Sequence, residues 1–394
     1  MPRPHSSGVR ENAVTDEALT AYEIAVQEQD LDDLRSRLRR TRWADRELVD
    51  DWLQGVPRDY LEEVCRYWAE EYDWRRCEAR LNAIPQFRTP VDDVAVHFLH
   101  VRSPHADALP LVLTHGWPGT VVEFLDVIAP LADPVAHGGR FSDAFHLVIP
   151  SLPGFGFSSR PTSLGWNRER VADAWAVMMT RLGYDRFAAQ GGDWGASVAN
   201  HLAQRHPERM VGIHLNLVTV SPPPGAEEEG VDEHYASWRA SREERARWEN
   251  GYVHQQRTRP QTLGYALADS PVGQCAWILE KFKAWSDCGD DPVAAFGIDR
   301  LLDNISIYWL TNTATSSARF YWECQPGGFD GRIEIPMGAT IYPKEINRPP
   351  RAWAERVYLD LQYWHEVDRG GHFAAFEQPG LFVDEVRACF AALR

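Results

Sequence analysis

The stretch Phe187-Ala188-Ala189-Gln190-Gly191-Gly192-Asp193-Trp194-Gly195-Ala196 decides the reading of this chain. A short apolar run of buried-strand type leads into Gly191, and a helical pattern opens at Ala196 and continues to Arg205. The G-x-D-x-G between them has the form of a strand–turn–helix elbow. Small flanking residues there permit a tight turn that projects the central side chain. That residue is Asp193, which excludes a serine nucleophile unless another serine serves. An elbow also aims a helix N-terminus at the site, which favours an ionised carboxylate. An aspartate that merely caps a helix after a glycine turn has the same local sequence, so this segment alone leaves both roles open.

Outward from the elbow the apolar period switches between strand and helix. Val94, Val96 and Phe98 alternate with polar or small residues, as in a half-buried strand. Leu109–Leu113, Phe145–Ile149 and Ile213–Leu217 are further strand-like runs, with helical patterns over Val121–Leu131, Val171–Leu182 and Ala196–Arg205. Such alternation predicts an α/β fold, a mostly parallel sheet covered on both faces. The pattern breaks at Ser221–Pro224 and the acidic Glu227–Glu229, and from Val231 to about Tyr321 it reads as helices without strands. Strands return at Ile335–Ile341 and Tyr358–Tyr363, and a last helix spans Phe382 to Leu393. The first stretch, to about residue 95, is helical in pattern. Leu31, Leu34 and Leu38 make one apolar stripe with Asp30 as N-cap, and Leu61, Val64, Trp68 and Tyr72 make a second. These helices hold too little apolar surface for a core of their own and should pack onto the later part of the chain. The expected division is an arm over 1–93, a core over 94–220 and 331–394, and a helical cap over 221–330.

At 394 residues the chain can bury a full core without disulfides or metals. Its charge of 41 − 57 = −16 argues against nucleic acid or an anionic membrane as partner. No stretch approaches the roughly 18 apolar residues of a membrane span, and Met1–Gly8 lacks the apolar core of a signal peptide. A soluble cytoplasmic protein is expected. The six cysteines are scattered without a C-x-x-C pair and read as reduced thiols. The 16 Trp, 16 Phe and 13 Tyr would suit a pocket for a bulky apolar ligand, though core packing uses the same side chains.

Two further segments carry chemistry. Thr114-His115-Gly116-Trp117-Pro118-Gly119 follows the strand Leu109–Leu113. In α/β-hydrolase folds this turn supplies one backbone N–H of an oxyanion hole and the residue after the nucleophile supplies the other, which here would be Trp117 and Trp194. His115 reads as a structural hydrogen-bonding residue. Arg369-Gly370-Gly371-His372-Phe373 lies on a Gly-rich loop after the last strand, in the chain order nucleophile, acid, histidine of that fold. The acid should follow the preceding strand, where Glu345 stands; Asp330 and Glu334 precede that strand and are weaker candidates.

Together these pieces resemble the microsomal-type epoxide hydrolases over nearly the whole chain. Tyr22-Glu23-Ile24 to Arg42-Trp43 is similar to that family's N-terminal region, and His115–Gly119, Gly191–Gly195 and Gly370–Pro379 are similar to its three hallmark loops. The segments around Tyr252 and Tyr321 fall where the family carries its two epoxide-polarising tyrosines, so the resemblance implies those two as acids and Tyr308 as a cap-packing residue. It implies no membrane anchor, since nothing here matches the anchoring helix of the microsomal members. Actinobacterial members act in enediyne antibiotic pathways, and the Arg-for-Lys bias of this chain would suit such a source.

The residue types agree with that chemistry. A carboxylate attacks an epoxide carbon without prior deprotonation, phenols stay protonated to meet the developing alkoxide, and His372 oriented by Glu345 activates water against the ester. No metal or organic cofactor is needed. The partner is a small-molecule epoxide, and a homodimer is compatible with the reading. A haloalkane dehalogenase shares the aspartate and the ester but would use halide-binding N–H groups, Trp194 among them. A non-catalytic relative would usually lack a triad member, and none is missing. Neither Gly154-Phe155-Gly156 nor Gly191-Gly192 completes a dinucleotide fingerprint.

Overall fold

The computed structural model describes residues 19–228, 232–324, 329, 331–391 and 393. Asp330, Glu229 and Val231 lie outside the described residues. Strands β1 (Thr20–Ala21), β2 (Gln86–Val91), β3 (Val94–Val101), β4 (Leu109–Thr114), β5 (Phe145–Pro150), β6 (Phe187–Gly191), β7 (Met210–Leu215), β8 (Ile333–Ile341) and β9 (Tyr358–Glu366) form one sheet in the order β1-β2-β3-β5-β4-β6-β7-β8-β9. Pairing is antiparallel from β1 to β5 and parallel from β5 to β9. The central strands β4, β6 and β7 are buried along almost their whole length, as their unbroken apolar runs require. Because β5 lies on one side of β4 and β6 on the other, strand order reverses beside β4. The carboxyl ends of β4 and β6 therefore flank a switch point, where open α/β sheets place their ligands.

Helices α1 (Glu28–Arg39), α2 (Arg58–Glu70) and α3 (Trp74–Asn82) precede the sheet's main strands, and α4 (Ile128–Ala132), α5 (Arg168–Arg181) and α6 (Asp193–Arg205) lie among them. A run of helices follows β7: α7 (Tyr235–Trp248), α8 (Gly251–Thr258), α9 (Pro260–Asp269), α10 (Pro271–Trp285), α11 (Pro292–Phe296), α12 (Ile298–Leu310) and α13 (Ala314–Glu323). The chain closes with α14 (Arg351–Ala354), α15 (Ala374–Glu377) and α16 (Pro379–Ala391). As the stripes predict, Leu31, Leu34, Leu38, Leu61, Val64 and Trp68 are buried. Part of what α2 packs on is the helical insertion. Trp68 Nε1 donates to Ser306 Oγ at 3.0 Å, and the Tyr67 and Tyr72 hydroxyls donate to Asp299 and Asp303 at 3.0 and 2.7 Å, all three acceptors on α12. None of the described helices is long and apolar enough to cross a membrane.

Several local expectations need correction. Val121–Leu131 is not one helix: a 3₁₀ turn spans Val121–Phe124, and α4 starts afresh at Ile128. Pro130 explains the break, because a continuous helix would need its missing N–H and would clash with its ring. Helix α1 begins at Glu28, so Asp30 lies in its first turn and does not cap it. The arm also contributes β1 and β2 to the sheet. Strand β2 holds Pro90, tolerated because β1 pairs only with Phe87 and Arg88 and leaves that position at an edge. Strand β7 starts at Met210 and ends at Leu215, three residues upstream of the start read from the sequence.

Candidate active site

Asp193 is the first residue of α6, and its φ is +46°. A non-glycine residue in the left-handed region costs about 1–3 kcal/mol and persists only where its surroundings hold it there. The loop after β4 does the holding. Trp117 N–H donates to Asp193 Oδ1 at 2.8 Å. A Cβ at Gly116 would collide with the Asp193 carboxylate, so the loop approaches that closely only with glycine at this position. The bland reading of Asp193 as helix cap fails, because the N-cap position belongs to Gly192. Trp194, the other expected donor, is the second residue of α6, where backbone N–H groups have no partner within the helix.

Glu345 and His372 arrive on the loops after β8 and β9. His372 Nδ1 pairs with Glu345 Oε1 at 2.7 Å, and His372 Nε2 faces Asp193 Oδ2 at 3.5 Å. Both residues are buried. Glu345 Oε1 also accepts the Ile346 N–H at 2.6 Å, which fixes the carboxylate. Glu334 is exposed on β8 and takes no part. Burial alone would push the His372 imidazole down, but the charges of Glu345 and Asp193 outweigh it and raise it to about 10. His115 behaves differently. Its Nδ1 lies 2.9 Å from the Gly116 carbonyl, its Nε2 accepts the Leu152 N–H at 3.2 Å, and burial lowers it to about 4. It is a neutral strut for the loop.

The helical insertion brings Tyr252 (α8) and Tyr321 (α13) over this pair. Tyr252 stacks on the Trp117 ring with centroids 5.1 Å apart and planes 8° apart. Tyr321 stands edge-on to Trp117 at 5.8 Å and to Trp194 at 4.8 Å, and the two tyrosine rings are 5.9 Å apart. Burial, with the Asp193 charge adding to it, pushes both phenols well above their ordinary range, so both keep their protons at neutral pH. Tyr308 plays a different part. Its hydroxyl donates to the Gly119 carbonyl at 3.0 Å, and Asn304 Nδ2 donates to the Pro118 carbonyl at 2.8 Å. Helix α12 thereby clamps the loop that holds Asp193.

Three residues here were not singled out from the sequence. Trp285, at the end of α10, lies 5.1 Å from the His372 ring and 5.0 Å from Tyr252, and its carbonyl accepts the His372 N–H at 2.9 Å. Lys281 Nζ sits 4.8 Å from the Tyr252 ring centroid. Glu123 borders a cavity of about 20 Å³ together with Asp193, His372, Gly116 and Asn216. The aromatic count hinted at Trp285 without locating it; nothing in the local pattern marked Lys281 or Glu123.

The site thus holds a carboxylate on a strained elbow, a buried His–Glu pair beside it and two protonated phenols, which supply a nucleophile, a base and acids. Comparisons with known proteins identify the family. A family model described as "Epoxide hydrolase N terminus" matches residues 19–124, and one described as "alpha/beta hydrolase fold" matches residues 110–247. The chain is 53% identical over 379 residues to a Stigmatella aurantiaca protein that is assigned to the epoxide hydrolases by name only, covering 95% of this chain and 86% of that one. It is 34% identical to epoxide hydrolase 1 of Sus scrofa, over 96% of this chain and 90% of that one. The crystal structure of juvenile hormone epoxide hydrolase from Bombyx mori superposes with a TM-score of 0.87 at 28% identity, covering 96% of this chain and 95% of that one. An α/β-hydrolase preceded by this N-terminal region and related to these enzymes over nearly its full length, the chain belongs to the microsomal-type epoxide hydrolases.

Proposed function

We propose that this epoxide hydrolase works through a covalent ester on Asp193. The observation that carries the reading is the convergence on one carboxylate: Oδ1 on the Trp117 N–H, Oδ2 toward His372, and the rings of Tyr252 and Tyr321 packed against the ring of that same Trp117. An Asp193 oxygen attacks an epoxide carbon in line, the C–O bond of the ring breaks, and a phenol gives its proton to the departing alkoxide. Ester formation removes the Asp193 charge, one of those that hold His372 high. His372 then loses its proton, which by way of solvent restores the phenol, and the neutral imidazole acts as base. Water adds to the Asp193 carbonyl carbon and gives a proton to Nε2, while backbone N–H groups of Trp117 and Trp194 receive the oxyanion. Collapse breaks the acyl–oxygen bond, the diol leaves with the proton returned from His372, and the Asp193 carboxylic acid so formed gives its proton to His372, restoring the resting pair.

The aromatic walls of Trp117, Trp194, Trp285 and Phe320 support an aryl or otherwise bulky apolar epoxide as substrate. Replacing the base tests the scheme. His372→Ala should form the ester and fail to hydrolyse it, so incubation with styrene oxide should add the mass of one epoxide to the intact protein, at Asp193. An unmodified protein after prolonged incubation would argue against the covalent route.

A further inference from the structure

We propose that Glu123 positions the water that hydrolyses the Asp193 ester, an assignment that rests on the reading of Asp193 as nucleophile. Glu123 lies on the 3₁₀ turn Val121–Phe124, directly after the loop that carries Trp117, and Thr120 caps that turn through the Val122 N–H. Its carboxyl folds back over the loop: a Cβ at Gly119 would occupy the place of Glu123 Oε1. The two loop glycines thus have parallel reasons, Gly116 making room for the Asp193 carboxylate and Gly119 for the Glu123 carboxyl. Glu123 is half-buried, and among the described residues its carboxyl makes no ion pair and no hydrogen bond.

What the carboxyl does face is the cavity. At about 20 Å³ it exceeds the roughly 10–15 Å³ that one water needs, and its wall includes Asp193, His372 and Asn216 beside Glu123. A water there has His372 to take one proton and the Asp193 carbonyl carbon to attack. Its second hydrogen needs an acceptor, and the carboxyl oxygen of Glu123 supplies one. Burial raises Glu123 to about 8, with the His372 charge opposing and the Asp193 charge reinforcing the rise. In the resting enzyme the group is therefore protonated and adds no second negative charge beside the nucleophile. Ester formation and the loss of the His372 proton remove both charges, and burial keeps the Glu123 carboxyl protonated, so that its carbonyl oxygen is the acceptor offered to the water. The hydrolytic step balances without it: one water proton goes to His372 Nε2, the water oxygen bonds to the Asp193 carbonyl carbon, and the acyl–oxygen bond to the diol breaks. Glu123 holds the remaining O–H and takes no proton.

Single-turnover kinetics on styrene oxide separate the two half-reactions and test the assignment. Glu123→Met fills the same space without a polar group; Glu123→Gln restores an acceptor. In Glu123→Met, ester formation should stay within about threefold of wild type, while ester hydrolysis should slow by about 10²-fold, the cost of a misplaced reactant. Glu123→Gln should recover much of that loss and remove the pH dependence that Glu123 gives to hydrolysis. Wild-type hydrolysis in Glu123→Met, or equal slowing of both half-reactions, would overturn the proposal. Should Glu123→Met fail to fold, Glu123→Gln decides alone: an unchanged rate and pH profile would overturn it. Failure of the parent reading would look different, since His372→Ala would then never carry an ester on Asp193.

Discussion

Glu345→Gln removes one charge from the buried pair and leaves its shape. Glu345 Oε1 lies 2.7 Å from His372 Nδ1, and an amide oxygen in that place still accepts the imidazole proton and the Ile346 N–H. The loss is the attraction between a carboxylate and an imidazolium. For charges about 4 Å apart at an effective dielectric of about 20, that attraction is about 4 kcal/mol. At about 1.4 kcal/mol per decade, the full loss would slow any step that forms the imidazolium by about 10³-fold. The real deficit should be smaller near neutrality, because without Glu345 the imidazole titrates lower and more of it is free to act as base. Hydrolysis by the variant should therefore level off at a lower pH than in wild type, and its deficit should widen from about 10²-fold near pH 7 toward about 10³-fold as pH rises. Ester formation does not use His372 as base and should fall far less. Stopped-flow single turnovers across the pH range, with the ester quantified by intact mass, measure both steps. A variant whose hydrolysis has the wild-type pH profile would refute the role given to Glu345, and full activity would refute it outright.

Removing one phenol hydroxyl, in Tyr252→Phe or Tyr321→Phe, should slow ester formation while sparing ester hydrolysis. The double variant should lose about 10²–10⁴-fold in ester formation, non-additively because both donors serve one oxygen; a double variant that alkylates at the wild-type rate would remove the phenols from the mechanism. The raised imidazole also has a consequence for stability. His372 moves from 6.5 to about 10 on folding, so its stabilising contribution is complete below about pH 6.5 and is lost as pH rises through about 10. Urea unfolding of wild type minus that of His372→Asn should show this difference shrinking over that range, and a constant difference would contradict the assignment.

The features legible in the sequence were local. The strand–turn–helix around Asp193 is written in five consecutive residues, and the loops of Trp117 and His372 each follow an apolar run with glycines at fixed offsets. Glu345 was reachable by the same logic, as the carboxylate just beyond a strand. Residues brought in from afar were not legible. Lys281 belongs to the site because the fold brings its ammonium to the Tyr252 ring, 29 positions away in the chain, and no spacing near Lys281 encodes that approach. Glu123 was hidden by a period error: read as one helix, Val121–Leu131 makes it an ordinary polar-face carboxylate, whereas the break forced at Pro130 leaves it on a turn facing Asp193. Strand β1 spans only Thr20–Ala21, too short for an alternation to register. Asp30 shows how acidic runs blur helix starts, since Glu28, Asp30, Asp32 and Asp33 all suit a first turn.

The central claim is that oxygen reaches the diol from Asp193, and water only replaces it afterwards. A single turnover in ¹⁸O-water, with enzyme in excess over styrene oxide, tests this directly. The diol from that first turnover should contain only the epoxide oxygen and one unlabelled oxygen from Asp193, and a peptide containing Asp193 should gain one heavy oxygen. Label in the diol with none in that peptide would mean that water attacks the epoxide directly, and the account of Asp193 as nucleophile would be wrong.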